Sequence, residues 1–251
     1  MDNRPKIDGY RLDRMLGLGG MGIVYHGYRK TDNREVAIKL IKKSTDKELT
    51  NKFNLRLKRE IQLSKKFAHP YVVQILDLGH QQDTKLPFIV MEYLKGQSLE
   101  QKLCGGALSP TELLRIGRHM AEALSYVHAN GILHRDLKPS NIHLVSEDRT
   151  VLLDFGLALA TDMTRMTATS DTVGTLIAMA PEQLAGKELT TSADIYGLGF
   201  TLYYAATLQC PYSREQLFKM AVNRAPEATP PTPIELVEAF PEHLSAIIMD
   251  C

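Results

Sequence analysis

Cysteine is scarce in this sequence. The 251 residues include three cysteines, Cys104, Cys210 and Cys251, which lie far apart and form no CxxC pair. This spacing argues against a disulfide framework and against a cysteine-ligated zinc site. We therefore expect a chain that works in a reducing compartment, and we predict a cytoplasmic location.

Long apolar runs are missing as well. The first ten residues, MDNRPKIDGY, lack the apolar core of a signal peptide. No stretch approaches the roughly 18 apolar residues that a membrane-spanning helix needs. We expect no membrane span in these 251 residues, and a membrane anchor beyond residue 251 of a longer protein is left open.

Neither sign of charge is in excess. Lysine and arginine number 30 and aspartate and glutamate 29, which gives a formal net charge of +1. Such a balance provides no global attraction to nucleic acid or to an anionic membrane. We expect no nucleic-acid partner, and the oligomeric state is left open.

The sequence contains two halves with different patterns. Residues 1–94 read as short β-type segments and turns, interrupted by a charged helical stretch at about 50–66. Residues 95–251 are mostly helical in pattern, with one short buried strand predicted at 151–153. This order predicts an α+β fold with two lobes. The predicted helices of the second half cover 98–103, 109–130, 192–208 and 238–249.

A glycine-rich run lies between the first two predicted strands. Residues 16–24 read LGLGGMGIV, which is a G-x-G-x-x-G-x-V pattern. Alone it is a weak signal, because the same glycine spacing occurs in dinucleotide-binding folds and in hairpin turns. A β-type segment follows the glycines where a dinucleotide fold needs a helix, and no Gly-Lys-Ser/Thr ends the run. A hairpin that covers nucleotide phosphates fits better.

A lysine lies near the end of the third predicted strand, in the run Val36-Ala37-Ile38-Lys39. Its ammonium could reach phosphates from a buried wall, whereas the alternative is a solvated lysine at a strand edge. On the following helical stretch, Glu60 lies beside apolar residues. We expect Glu60 to pair with Lys39, and the alternative is a surface pair with Arg56.

The most specific segment is HRDLKPSN at residues 134–141, which DFG follows at residues 154–156. Asp136 can accept a proton from an attacking hydroxyl, and Lys138 can neutralise charge on a transferred phosphoryl group. Asn141 and Asp154 carry hard oxygen ligands that suit Mg²⁺. The two motifs follow the glycine-rich run and the strand lysine in the order of the protein-kinase signature set.

From Tyr10 to Cys251 the chain resembles the protein-kinase superfamily, and most of all the bacterial eukaryotic-like (Hanks-type) Ser/Thr kinases. The second likeness rests on GGMG at residues 19–22 and APEQ at residues 180–183. The resemblance implies a bilobal protein-kinase fold. A small β-rich N-lobe with one regulatory helix would cover residues 1–94. A larger, mostly α C-lobe would cover 95–251 and be incomplete at its C-terminus.

The resemblance also implies an ATP-dependent protein serine/threonine kinase that acts on Ser and Thr hydroxyls of protein substrates. Asp136 and Lys138 would be catalytic, and Asn141 and Asp154 would hold Mg²⁺, with Mn²⁺ as an alternative ion. Lys138 and Thr175 are similar to the Ser/Thr-kinase pattern. The residues implied in ATP binding are Leu16, Gly17, Leu18, Gly19, Gly20, Met21, Gly22, Ile23, Val24, Ala37, Lys39, Met91, Glu92, Leu94 and His143.

Two features depart from the family pattern. His143 stands where the family usually has an aliphatic residue under adenine; a neutral imidazole can stack there, whereas a protonated ring would weaken nucleotide binding. The chain also stops within what resembles a late C-lobe helix, before an arginine that in the family pairs with the glutamate corresponding to Glu182. We expect a fragment of a longer protein, in which Glu182 lacks a buried partner.

Two other functions fit the same resemblance. A pseudokinase scaffold would keep the fold without phosphoryl transfer, but the residues required for transfer are present. A small-molecule kinase generally departs from the segment seen here between Gly174 and Glu182. Asp194 matches the acid that anchors the catalytic loop in the family, and its alternative role is a helix cap.

The segment between Asp154 and Glu182 is rich in hydroxyl side chains, which is also common in ordinary loops. In the family pattern, a phosphate on this segment pairs with the arginine that corresponds to Arg135 and orders the loop.

We predict autophosphorylation at Thr167, Thr169 or Thr172. Mass-spectrometric mapping of active protein should find phosphate on at least one of these three residues. Active protein that carries phosphate on none of them would contradict the prediction.

Overall fold

The computed structural model describes residues 5–19, 22–41, 67–154, 178–221 and 229–251. The chain divides into two compact units, Met1–Lys95 and Gly96–Cys251. The predicted helical stretch at 50–66 lies outside the described residues.

The first unit contains an antiparallel sheet of five strands in the order β1-β2-β3-β5-β4 among its described residues. The central strand β3 is buried from its second residue onward because neighbours cover both of its edges. One face packs into an apolar core that includes Leu12, Val36, Ile38 and Val90. The strands are β1 (Tyr10–Gly19), β2 (Gly22–Arg29), β3 (Glu35–Ile41), β4 (Ile75–His80) and β5 (Pro87–Glu92).

The second unit is mainly helical. A small sheet of β6, β7 and β8 lies beside the helices, and its strands cover Gln97–Ser98, Ile142–Ser146 and Arg149–Leu152. The described helices are α1 (Leu99–Leu103), α2 (Pro110–Ala129), α3 (Pro181–Leu184), α4 (Thr191–Thr207), α5 (Arg214–Ala221), α6 (Pro233–Leu236) and α7 (Glu242–Asp250).

Local sequence accounts for the main helices of this unit. Ser109 and Glu112 form a capping box at the start of α2, and Pro110 occupies its first turn. The buried face of α2 packs against α4 and β8. Helix α4 is buried on most of its circumference, as expected for a mostly apolar helix at the centre of a domain.

The predicted α+β organisation, with a β-rich first half and a mostly helical second half, is confirmed, with some differences at element ends. The last helix begins at Glu242 instead of 238, because a turn from Val237 to Phe240 precedes it and Ala239 has a positive φ. The short helix α6 was not predicted. The capping box formed by Thr232 and Glu235 is the sequence feature that could have indicated this helix.

Two expectations from composition can be compared with the structure. Cys104, Cys210 and Cys251 are all free thiols. Among the helices of the described residues, none combines the length and apolarity that a bilayer crossing requires.

A close approach at the start of the second unit gives a stability prediction. Gly96 has a φ of 119°, and a Cβ there would collide with the Leu144 carbonyl oxygen. Gly106 has a similar φ of 126° but nothing within 4 Å of a Cβ. The Gly106→Ala variant should lose about 1–3 kcal/mol of unfolding free energy from backbone strain. The Gly96→Ala variant should lose about 1–3 kcal/mol more from overpacking. Urea unfolding measures both, and equal losses would contradict the steric argument.

Candidate active site

The loop of residues 134–141 between α2 and β7 brings three polar side chains together. Lys138 Nζ lies 2.9 Å from Asp136 Oδ1. Asn141 Nδ2 donates to Asp136 Oδ2 at 3.0 Å and to the Asp136 carbonyl oxygen at 2.7 Å. The Asp136 carboxylate is therefore flanked by one cation and one amide donor, and its side chain remains 14% exposed. It is fixed in orientation and still accessible from outside.

The Asp194 carboxylate holds the start of this loop from α4. Its Oδ1 accepts from the Arg135 backbone N–H at 2.6 Å, and its Oδ2 accepts from the His134 N–H at 2.8 Å. His128 Nε2 lies 2.7 Å from the same Oδ2. Asp194 is also near the start of α4, but it is completely buried beneath the loop and therefore does more than cap a helix.

His134 connects the catalytic loop to the segment that leads to Asp154. Its Nδ1 accepts from the Asp136 backbone N–H at 3.2 Å, so Nε2 carries the proton and donates to the Leu153 carbonyl oxygen at 2.7 Å. The Leu153 N–H in turn donates to the Asn141 carbonyl oxygen at 2.8 Å. These contacts fix Leu153 against His134 and Asn141. Asp154 follows Leu153 directly in the sequence.

Helices α3 and α4 each make one further close contact with the loop. Gln183 Nε2 donates to the Arg135 carbonyl oxygen at 2.8 Å. At Gly197 a Cβ would lie 3.0 Å from Leu137 Cβ, so a larger residue there would push α4 away from the loop. Sequence reasoning missed the roles of His128 and Gln183. His128 belongs to no motif, and APEQ, which contains Gln183, does not reveal its contact with the loop; only the fold brings both residues there.

In the first unit, strand register aligns several residues assigned to ATP. Ala37 lies opposite His26 on one side and opposite Met91 on the other, and Lys39 lies opposite Val24 and Ile89. Lys39 is buried with 5% exposure. The solvated strand-edge alternative is therefore wrong, because β3 is a central strand.

The glycine-rich run forms the hairpin between β1 and β2. Gly17 pairs with Val24, Leu18 with Ile23, and Gly19 with Gly22. Leu16 and Leu18 are exposed. A hairpin was predicted at this position, and a dinucleotide fold is excluded because β2 follows directly.

The hinge segment, defined as residues Glu92–Leu94, contains the last residue of β5 and the two residues that follow it. The Glu92 N–H donates to the Gln74 carbonyl oxygen at 3.0 Å, and the Gln74 N–H donates to Glu92 Oε1 at 2.9 Å. Leu94 is half-buried. These contacts fix the first residue of the hinge segment against the residues before β4.

The remaining assigned residues fall into two groups. His143 is half-buried on β7, where it lies opposite Ser98 and Val151. Outside the described residues lie Gly20, Met21, Glu60, Thr167, Thr169, Thr172 and Thr175.

Glu182 is more exposed than expected for a buried charge. It is half-buried in α3. Burial raises the pKa of the nearby Tyr196 phenol, and the charges of Tyr212 and Glu182 raise it further. Partial exposure to solvent reduces the energetic penalty that an unpaired Glu182 carboxylate would otherwise carry.

Nearly the whole chain matches a known protein family. The model of the protein kinase domain matches residues 10–250. The chain belongs to the protein kinase domain family.

Relatives of this protein kinase domain include bacterial enzymes named as serine/threonine-protein kinases. PrkC of Bacillus subtilis is 36% identical over 222 residues, which cover 88% of this chain and 34% of PrkC. PknE of Mycobacterium tuberculosis is 38% identical over 215 residues, which cover 85% of this chain and 37% of PknE. The chain thus spans about a third of the length of the curated relatives it matches.

A solved structure has the same fold. The PknI kinase domain of Mycobacterium tuberculosis superposes with a TM-score of 0.68 at 26% identity. The match covers 91% of this chain and 81% of the PknI chain.

Protein kinases use ATP with a divalent metal ion, and the side chains of this kinase domain fit such an ion. Asn141 donates through Nδ2 to Asp136, which leaves its amide oxygen as a ligand atom. Asp154 supplies a carboxylate. Within the described residues no group of three or more His, Cys, Asp or Glu side chains could hold a metal. An amide oxygen and a carboxylate are hard donors of the kind that a divalent cation can bind together with substrate phosphates.

Replacing the buried Asp194 carboxylate tests how the loop is held. In Asp194→Asn, one acceptor oxygen becomes an NH₂ group that faces backbone N–H donors. We expect a loss of about 1–3 kcal/mol of unfolding free energy, since a buried donor loses its acceptor. The matched control is Glu188→Gln at an exposed position before α4, which should stay within about 0.5 kcal/mol of wild type. Urea unfolding compares them, and a harmless Asp194→Asn would refute this role.

Proposed function

We propose that this chain is the kinase domain of a protein serine/threonine kinase, which transfers the γ-phosphoryl group of ATP to Ser or Thr hydroxyls of proteins. The observation that carries the proposal is the Asp136 carboxylate flanked by Lys138 Nζ at 2.9 Å and Asn141 Nδ2 at 3.0 Å. The names of the relatives support the same activity and the Ser/Thr subtype.

The chemistry follows from these positions. Asp136 orients the substrate hydroxyl and accepts its proton as the oxygen forms a bond to the γ-phosphorus. The bond from that phosphorus to the ADP oxygen breaks. Lys138 offsets negative charge on the transferred group. Asn141 and Asp154 would hold Mg²⁺, or Mn²⁺ as the alternative, and the bound ion would neutralise charge on the phosphates.

Nucleotide binding is assigned to the first unit and to His143. Val24, Ala37 and Met91 lie on three adjacent strands and would form an apolar wall for adenine, and the hinge segment would offer backbone groups. Lys39 would contact phosphates with Glu60 as its partner. The Gly-rich hairpin, residues 16–24, would cover those phosphates. The glycine-rich run and the strand lysine support these assignments because they resemble the family's nucleotide-binding motifs.

Regulation by phosphorylation of Thr167, Thr169 or Thr172 remains part of the proposal. Within the described residues, the buried Arg135 Nε has no hydrogen-bond partner. A buried guanidinium donor of this kind favours an acceptor such as phosphate.

The three free thiols suit the cytoplasm, a reducing compartment that also supplies ATP.

The Asp136→Asn variant tests the activity. It keeps the shape of the side chain but removes the base, so we expect kcat for protein or peptide phosphorylation to fall by about 10²- to 10⁴-fold. Radiolabelled ATP with phosphoamino-acid analysis measures both the rate and the acceptor type. The matched control is Asp148→Asn, at an exposed acid in the turn between β7 and β8, which should keep wild-type activity. Equal labelling by wild type and Asp136→Asn would instead support a scaffold.

A further inference from the structure

His26 on β2 is almost completely buried, although it is a polar residue in the first unit. Its exposure is 4%. Nδ1 lies 3.0 Å from Asp13 Oδ2 on β1, and Nε2 lies 3.3 Å from Glu35 Oε1 at the start of β3. The imidazole is therefore hydrogen-bonded to Asp13, whereas the buried Nε2 is close to Glu35 without a hydrogen bond to any of the described residues. The family motifs assign no role to this position.

The same ring also contacts the hinge segment. The ring centroids of His26 and Tyr93 are 4.4 Å apart at an interplanar angle of 56°, and Tyr28 packs against His26 edge-on at 5.0 Å. Arg14 Nη2 donates to the Tyr93 hydroxyl at 3.1 Å. Tyr93 is therefore held by one contact with β2 and one with β1.

We infer that His26 is a positioning residue for nucleotide binding, which fixes Tyr93 and thereby the backbone of the hinge segment. The inference rests on the proposed kinase function, which assigns the Glu92 and Leu94 backbone to the nucleotide. Glu92 is fixed from the other side by its two hydrogen bonds with Gln74. His26 supplies the contact that fixes the next residue along the segment.

The register of the sheet places this ring beside the adenine wall. His26 lies directly opposite Ala37, and Ala37 lies opposite Met91. Val24 and His26 are two residues apart on β2, so they share one face of the sheet. A displaced His26 ring would therefore affect both the adenine wall and the hinge segment. Lys39 lies two residues beyond Ala37 on β3, so the ring is not directly opposite it.

The His26→Leu variant removes both nitrogen–carboxylate contacts and the aromatic ring while keeping a similar side-chain volume. Asp13 and Glu35 have side-chain exposures of 47% and 44%, so water can solvate their carboxylates in the variant and the sheet should fold. We expect the Kd for ADP with Mg²⁺ to rise about three- to tenfold, in line with the loss of one aromatic contact. The KM for ATP should rise similarly, and kcat at saturating ATP should stay within about twofold.

Hydrogen exchange on the free protein provides a direct readout of position. Amides of the peptide that contains residues 92–94 should exchange faster in His26→Leu than in wild type. The His26→Gln variant keeps a donor for one carboxylate and should restore part of the ADP affinity. The Tyr93→Leu variant removes the other side of the ring contact and should weaken ADP binding to a similar extent.

The matched control is Asp32→Asn. It breaks the exposed ion pair between Asp32 and Arg29 in the turn of the same β2–β3 hairpin, away from His26. Its ADP affinity and hydrogen exchange should equal those of wild type. If wild type binds ADP and both His26→Leu and Tyr93→Leu bind it equally well, the positioning role is refuted while the kinase function stands. If wild type binds no ADP, the kinase function fails and the inference fails with it.

Discussion

The buried Asp194 carboxylate is the interaction on which the candidate catalytic loop depends. It contacts the backbone of His134 and Arg135 and the ring of His128, and so joins α4, α2 and the loop. A carboxylate taken out of water is costly unless donors surround it. Here two backbone N–H groups and an imidazole meet that need, and the same contacts satisfy N–H groups that a loop would otherwise bury without acceptors.

This anchoring helps to explain why two strained backbone positions persist, one directly before Asp136 and one after β8. Arg135 and Asp154 both have positive φ, at 67° and 57°, although neither is glycine. Such conformations cost about 1–3 kcal/mol each and persist where surrounding contacts fix them. Asp194 and Gln183 bind the backbone of Arg135, and the contacts of His134 and Asn141 with Leu153 fix the residue before Asp154.

The sequence predicted the fold class and the contents of this loop because both depend on local pattern. Capping residues mark the start of α2, and fixed spacing places Asp136, Lys138 and Asn141 on one loop. Spacing along the chain does not show which residues of other elements contact His128 and Gln183. His128 meets Asp194 across 66 positions and Gln183 meets Arg135 across 48, so only tertiary packing could reveal them. The boundary of α7 was missed for a local reason, since its pattern continues through a turn that Pro241 ends.

Burial distinguishes the contact of His128 with Asp194 from the contacts of His26 with Asp13 and Glu35. Asp194 is completely buried, so removing its partners leaves a charge without water, and the penalty falls on folding. Asp13 and Glu35 keep nearly half of their side-chain surface, so water replaces His26 at lower cost. A change in the Asp194 contact should therefore act on the stability of the whole unit. A change in the His26 contacts acts mainly on what the ring itself positions, which is Tyr93 and the hinge segment.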